Sequence, residues 1–184
     1  MEFKNVTKRL TIRRFYESDL DDFLSYQSHP IVREYARGQP FDREGAAAML
    51  KQQAFLRDDA RDVYHSFAVV LTKEEKVIGD IGLYLPSDKA KIGDLGFQFH
   101  PDYHGQGYAT EAAQALIQHA FLSWNLTHIT ASCDARNLRS RQLIERLGMS
   151  LQPSEESGSI SYELTSKAWL ESNPKIVFMD TNKK

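Results

Sequence analysis

Apolar residues recur along the chain with two periods, and each change of period marks an element. Three stretches in the middle read as strands: SFAVVL at 66–71, VIGDIGLYL at 77–85, and residues 91–100. The first is apolar on both faces, as in a strand covered on each side. In the third, Leu95, Phe97 and Phe99 alternate with Asp94, Gly96, Gln98 and His100, the period of two that a strand requires. The charged turn 73–76 and Pro86-Ser87-Asp88 separate the three, short links that suit antiparallel hairpins. From residue 109 the period lengthens. Ala109, Ala112, Ala113, Leu116, Ile117, Ala120 and Phe121 occupy one face of a helix at about 3.6 residues per turn.

The flanks follow the same rules. Residues 9–13 alternate as a short first strand, and 128–133 as a later one. Ser18 is placed to cap a helix carrying Leu20, Phe23 and Leu24 inward. That helix must stop near His29-Pro30, and Gly38-Gln39-Pro40 marks a loop. Asp42 is placed to cap a second helix with Ala46, Met49, Leu50 and Phe55 inward. Residues 139–147 form a short helix on Leu143, Ile144 and Leu147, ended by Gly148. One domain over 1–173 and a tail over 174–184 are expected, with 176–179 the tail's one apolar patch.

Composition narrows the function. With 23 Lys and Arg against 25 Asp and Glu, no basic surface announces nucleic acid. A mean hydropathy of -0.49 and the lack of a long apolar run argue against a membrane span. The N-terminus has no apolar core of the signal-peptide kind. The single cysteine, Cys133, makes neither an internal disulfide nor a metal cluster, so no metal is expected and a reducing cytoplasm is the expected setting.

The chemistry concentrates between the third strand and the long helix. Pro101 ends the strand, and Gly105, Gln106 and Gly107 precede the helix. The first N–H groups of a helix lack internal partners and carry its positive end, so a strand, glycine turn and helix in succession suit a phosphate. No lysine follows Gly107 as a P-loop needs, and Thr110 stands where a dinucleotide fold needs its third glycine. Hairpins leading into the turn are also the wrong topology for a dinucleotide fold. His104-Gly105-Gln106-Gly107-Tyr108-Ala109 instead resembles the acetyl-CoA loop of the GNAT acyltransferases, [QR]-x-x-G-x-[GA], with His104 departing from the first position. Asn137-Leu138-Arg139-Ser140 through Leu147-Gly148-Met149 resembles that superfamily's second motif, in the correct order and about thirty residues on. Pro101-Asp102-Tyr103, Thr110-Glu111-Ala112 and the closing Tyr162-Glu163-Leu164-Thr165 with Trp169 are similar to the branch containing ribosomal-protein-alanine acetyltransferases.

The resemblance implies an α/β GNAT fold, a mixed, mostly antiparallel sheet flanked by helices, and acetyl transfer from acetyl-CoA to an amine. It implies cofactor contacts from the backbone of Gln98, Phe99 and His100, from His104, Gly105, Gln106, Gly107, Tyr108, Ala109 and Thr110, and from Asn137 and Ser140. A backbone N–H of the same strand is the implied oxyanion donor. Ser140 is the implied acid for the leaving thiolate. Ile144 occupies the place where most of the superfamily has a tyrosine, which leaves Tyr108 or another tyrosine as a stand-in. Arg136, Arg139 and Arg141 are within reach of CoA phosphates or simply solvated.

For the base, Asp94 comes first and His100 second, on one strand face that Asp80 approaches across the hairpin. Deprotonating a lysine at neutral pH costs ~4.6 kcal/mol, an α-amine only ~1. A protein or peptide N-terminal α-amine is therefore the expected acceptor, for a monomer or homodimer. A small amine such as a polyamine or antibiotic, and a non-catalytic CoA sensor, are the alternatives.

Overall fold

The computed structural model describes residues 3–36, 38–153 and 158–174. In chain order these form β1 (Lys4–Val6), β2 (Leu10–Arg13), α1 (Leu20–Gln27), α2 (Pro30–Arg33), α3 (Arg43–Ala54), β3 (Val63–Leu71), β4 (Lys76–Leu85) and β5 (Ile92–Phe99). Then follow α4 (Tyr108–Leu122), β6 (His128–Asp134), α5 (Leu138–Arg146), β7 (Ser150–Gln152), β8 (Ser159–Thr165) and α6 (Ser166–Ser172). The strands make one open sheet in the order β1-β2-β3-β4-β5-β6-β8-β7. Its neighbours are antiparallel except β5 and β6, which run parallel because α4 carries the chain back between them.

Alternation within β3 shows how the two faces are filled. Phe67, Val69 and Leu71 join the larger core with Ile81, Leu83, Leu95 and Phe99, under Leu116, Ile117 and Ala120 of α4. Ala68 and Val70 face the other way, into a smaller core with Phe15, Phe23, Tyr26, Ala46 and Leu50. The sheet is thus sandwiched by α4 on one side and by α1 and α3 on the other, each helix burying its apolar stripe.

Several local expectations are corrected. Ser18 does not cap α1. A single 3₁₀ turn precedes the helix, and the Asp19 carboxylate accepts from the Tyr16 N–H at 2.7 Å while pairing with Arg13. Asp42 does cap α3, accepting from the Gly45 N–H at 2.7 Å, but Phe55 lies past the helix end and is 80 % exposed. Pro30 starts a helix as well as stopping one, since its missing N–H is surplus at a first position and His29 Nδ1 accepts from Ile31. The three-residue edge strands β1 and β7 are too short for a period to reveal. The apolar patch expected at 176–179 lies outside the described residues.

Candidate functional site

The parallel pair β5 and β6 stays in register only from Ile92↔His128 to Leu95↔Ala131. Beyond that level β5 continues along β4 to Phe99, and β6 continues along β8 to Asp134. The two strands therefore diverge and open a wedge in the middle of the sheet. Which peptide groups face it follows from the ladder on the other side. The His100 N–H donates to the Ile78 carbonyl at 2.8 Å, extending the register that sets Gln98 opposite Asp80 and Gly96 opposite Gly82. In an antiparallel ladder every second residue makes such bonds. The peptides of Gly96, Gln98 and His100 thus point at β4, while those of Phe97 and Phe99 point into the wedge. Of the expected trio only Phe99 presents its peptide there, and Phe97 joins it.

Both strands bordering the wedge lead into helices at its open end. Gly107 is the N-cap of α4 with φ 80°, and Gly105 has φ 74°, both in the left-handed region that favours glycine. A Cβ on Gly105 would meet nothing within 4 Å, so the turn is bare on its outer side. Asn137 caps α5, its Oδ1 accepting from the Ser140 N–H at 3.1 Å, and Ser140 is half-buried one turn inside that helix. The His104 side chain folds back, donating from Nε2 to the Phe99 carbonyl at 2.9 Å. It buttresses the strand end under the turn. Arg146, from the last turn of α5, donates to the Thr110 hydroxyl at 3.3 Å. Arg136 is held by Asp134 at 2.7 and 2.9 Å, and Arg141 donates to the Ala135 carbonyl at 3.4 Å.

The face of the sheet turned away from α4 carries a polar cluster beside the wedge. Asp80 is 9 % exposed, and burial pushes its carboxyl up to about 6. Bonds from Ser66 and a contact with the Tyr26 hydroxyl hold it from rising further; Ser66 Oγ donates at 3.1 Å, while Tyr26 Oη lies outside strict hydrogen-bond geometry. Tyr64 crosses the backbone of β4 and β5: a Cβ on Gly96 would stand 2.7 Å from its hydroxyl, and one on Gly82 would stand 2.8 Å from its ring. Burial, then Asp80 and Asp94, raise the Tyr64 phenol well above its usual range and keep it neutral. Gln53 of α3 pins this segment. Its Nε2 donates to the Tyr64 carbonyl and its Oε1 accepts from the Ser66 N–H, each at 2.8 Å, where β2 no longer reaches β3. Asp94 accepts from Thr130 Oγ1 at 2.8 Å across the closed part of the wedge. His100 Nδ1 accepts from the Asp102 N–H at 3.2 Å, which occupies that lone pair. Burial pushes the Cys133 thiol up, away from the thiolate a nucleophile needs.

A wedge in the sheet with a glycine turn and a helix N-terminus at its mouth offers backbone groups to a long, phosphate-bearing ligand such as CoA, and comparison with known proteins agrees. Residues 9–150 match the family described as acetyltransferase (GNAT) domain. The chain belongs to the GNAT acetyltransferases. It is 34 % identical over 143 residues to the uncharacterized N-acetyltransferase YnaD of Bacillus subtilis, covering 78 % of this chain and 80 % of that one. It is 30 % identical over 83 residues to the ribosomal-protein-serine acetyltransferase of Escherichia coli, 45 % of this chain and 46 % of the other. A GNAT-family acetyltransferase structure from Bacillus anthracis superposes with a TM-score of 0.77 at 24 % identity, covering 90 % and 99 % of the two chains. As a GNAT acetyltransferase the protein takes acetyl from acetyl-CoA. Among the described residues, no helix is long and apolar enough to cross a membrane.

Sequence reasoning left several of these residues unassigned. Arg9 and Arg146 touch the turn or the first turn of α4 from elsewhere in the fold, and Glu111 in that first turn is bound by Arg9. Tyr64 meets the site only through strand register, and Gln53 only by reaching it from α3. The one available signal was a pair of glycines, Gly82 and Gly96, inside strand patterns, which marks a place where another group lies close.

Proposed function

We propose that this GNAT enzyme acetylates the N-terminal α-amine of a protein or peptide by direct attack on acetyl-CoA. The pyrophosphate lies on the N–H groups from Gly105 to Thr110, and the pantetheine arm pairs with the Phe97 and Phe99 peptides in the wedge, flanked by Asn137. The acyl carbon then sits beside the polar face on which Asp80 and Asp94 bracket Gly96. The amine nitrogen attacks that carbon, a strand N–H steadies the oxyanion, and the C–N bond forms as the C–S bond breaks. The proton released from nitrogen passes to the carboxylate face and on to solvent, and the thiolate takes a proton from Ser140, which regains one from solvent.

The observation that carries the reading is Asp80. A carboxyl held at about 6 beside the wedge is charged at neutral pH and still basic enough to take a proton from an amine already part neutral. We therefore assign it the base role ahead of Asp94 and His100. The base matches an α-amine far better than a lysine. The resemblance to a ribosomal-protein-serine acetyltransferase supports a protein acceptor. The carboxylates Asp80 of β4, Asp94 of β5 and, across β6, Glu163 of β8 favour, as a second reading, a small polycationic amine.

Thiol release from acetyl-CoA, followed with a panel of short peptides, polyamines and aminoglycosides, separates the two. Turnover with free-N-terminus peptides and none with their N-blocked forms is expected. Turnover confined to the small amines would overturn the acceptor assignment.

A further inference from the structure

Arg9 stands in the turn between β1 and β2, 97 residues before Gln106, yet it grips the glycine turn at several points. Its Nε donates to Glu111 Oε2 at 2.7 Å and its own N–H to Glu111 Oε1 at 2.9 Å. Thr7 Oγ1 donates to the same Oε1 at 2.6 Å. Nη1 donates to the Gln106 carbonyl at 2.9 Å. The guanidinium carbon lies 4.3 Å from the centroid of the Tyr108 ring, and Nη2 would stand 3.5 Å from a Cβ placed on Gly107. A planar fork meets all of these partners together; a single ammonium does not.

The Gln106 contact fixes a direction. In a trans peptide the carbonyl of one residue and the N–H of the next lie in one plane and point in opposite directions. With the Gln106 oxygen held at Arg9, the Gly107 N–H is turned away from Arg9, to the outer side of the turn. A glycine in the left-handed region leaves that plane free to rotate, and the arginine removes the freedom. Glu111 is handled in the same way. A carboxylate in the first turn of α4 is drawn to the helix's positive end, where it competes with a phosphate. Here Thr7 and Arg9 draw it sideways. Burial pushes the Glu111 carboxyl up, but the bonds from Thr7 and Arg9 outweigh it and hold it below its usual value.

We propose that Arg9 is a positioning residue for acetyl-CoA: it locks the peptide between Gln106 and Gly107 and diverts Glu111, so that the N–H groups of the turn face the pyrophosphate. This rests on the assignment of the turn as the pyrophosphate site. Arg9 acts through the turn and the helix end, and its effect is confined to the phosphate half of the cofactor.

The test uses the full chain with Arg9→Gln, Arg9→Lys and, alongside, Gly107→Ala. CoA binding is measured by calorimetry and binding of pantetheine, which carries no phosphate, by ligand-observed NMR. Thermal unfolding checks the fold. Arg9→Gln should weaken CoA about tenfold and leave pantetheine within about twofold. Arg9→Lys should recover only part of the loss, because one ammonium holds Gln106 or Glu111 but not both. If CoA affinity survives Arg9→Gln while Gly107→Ala loses it, the latch is wrong and the turn assignment stands. If neither variant changes CoA affinity, the turn assignment falls and the latch with it. Equal loss of CoA and pantetheine would reduce Arg9 to a support of the fold.

Discussion

Gly107→Ala puts the anchoring argument to a quantitative test. The residue caps α4 at φ 80°, where an L side chain costs roughly 1–2 kcal/mol. Its new methyl would meet only Arg9 Nη2, at 3.5 Å, an ordinary contact, so no steric clash adds to that figure. A loss of about 1 kcal/mol lowers the melting temperature of a chain this size by about 2–4 °C. Binding should suffer more. The left-handed backbone that aims the turn's N–H groups outward is the conformation an alanine resists, and one charge-assisted backbone bond contributes about 1.5–3 kcal/mol. Losing one such bond weakens CoA by about 10- to 150-fold. The control is Gly148→Ala, at φ 81° with nothing within 4 Å of the new Cβ. It carries the same backbone strain at the end of α5 without touching the turn. Calorimetric titration of CoA into both variants, beside their thermal unfolding, separates the effects. Equal stability loss with a CoA defect in Gly107→Ala alone is the expected result. Equal CoA affinity in the two variants would refute the assignment of the turn.

Three further outcomes follow from the polar face and its supports. Because the Asp80 carboxyl is raised, the folded state binds its proton more tightly than the unfolded state, so the group favours folding at low pH and that support is lost as pH rises through about 6. Asp80→Asn should therefore stabilise the protein at pH 8 by roughly 1–3 kcal/mol in denaturant titrations, the gain fading below about pH 4, while the acid limb of the rate profile near pH 6 disappears; an unchanged limb would remove Asp80 from the base role. Gln53→Met orphans the Tyr64 carbonyl and the Ser66 N–H together, and should cost about 2–4 kcal/mol by chemical denaturation; a loss under about 0.5 would show that other groups take over those bonds. Ser140→Ala should lower turnover several-fold with acetyl-CoA affinity kept, since its N–H remains available to Asn137; equal turnover would leave Ser140 a helix-start residue.

The parts of this protein legible in its sequence are those written in local patterns. Alternation at 94–100, the glycines at 105 and 107, and the stripe from Ala112 to Phe121 lie within one continuous stretch, and the strand, turn and helix formed where those patterns put them. Residues related only through the third dimension were not legible. Which β5 peptides face the wedge depends on the phase of its ladder with β4, fixed by the His100–Ile78 bond, and alternation of side chains is silent about that phase. Gln53 reads as an ordinary polar position in a helix, yet it stands in for a strand where β2 falls short of β3. Ser18 satisfied the capping preference, but Asp19 offered a charged acceptor that also binds Arg13, and the stronger bonds won.

The acceptor is the claim on which the rest of the account converges, and a single peptide tests it. The peptide carries a free α-amine and one internal lysine and is incubated with the enzyme and acetyl-CoA near pH 7. Fragmentation mass spectrometry then locates the acetyl group. About a tenth of the α-amine is already neutral at that pH, whereas the lysine is almost wholly protonated, so a carboxylate poised at about 6 helps the first and not the second. Acetyl on the N-terminal residue, with the lysine unmodified, is the predicted result. Acetyl mainly on the lysine would contradict it.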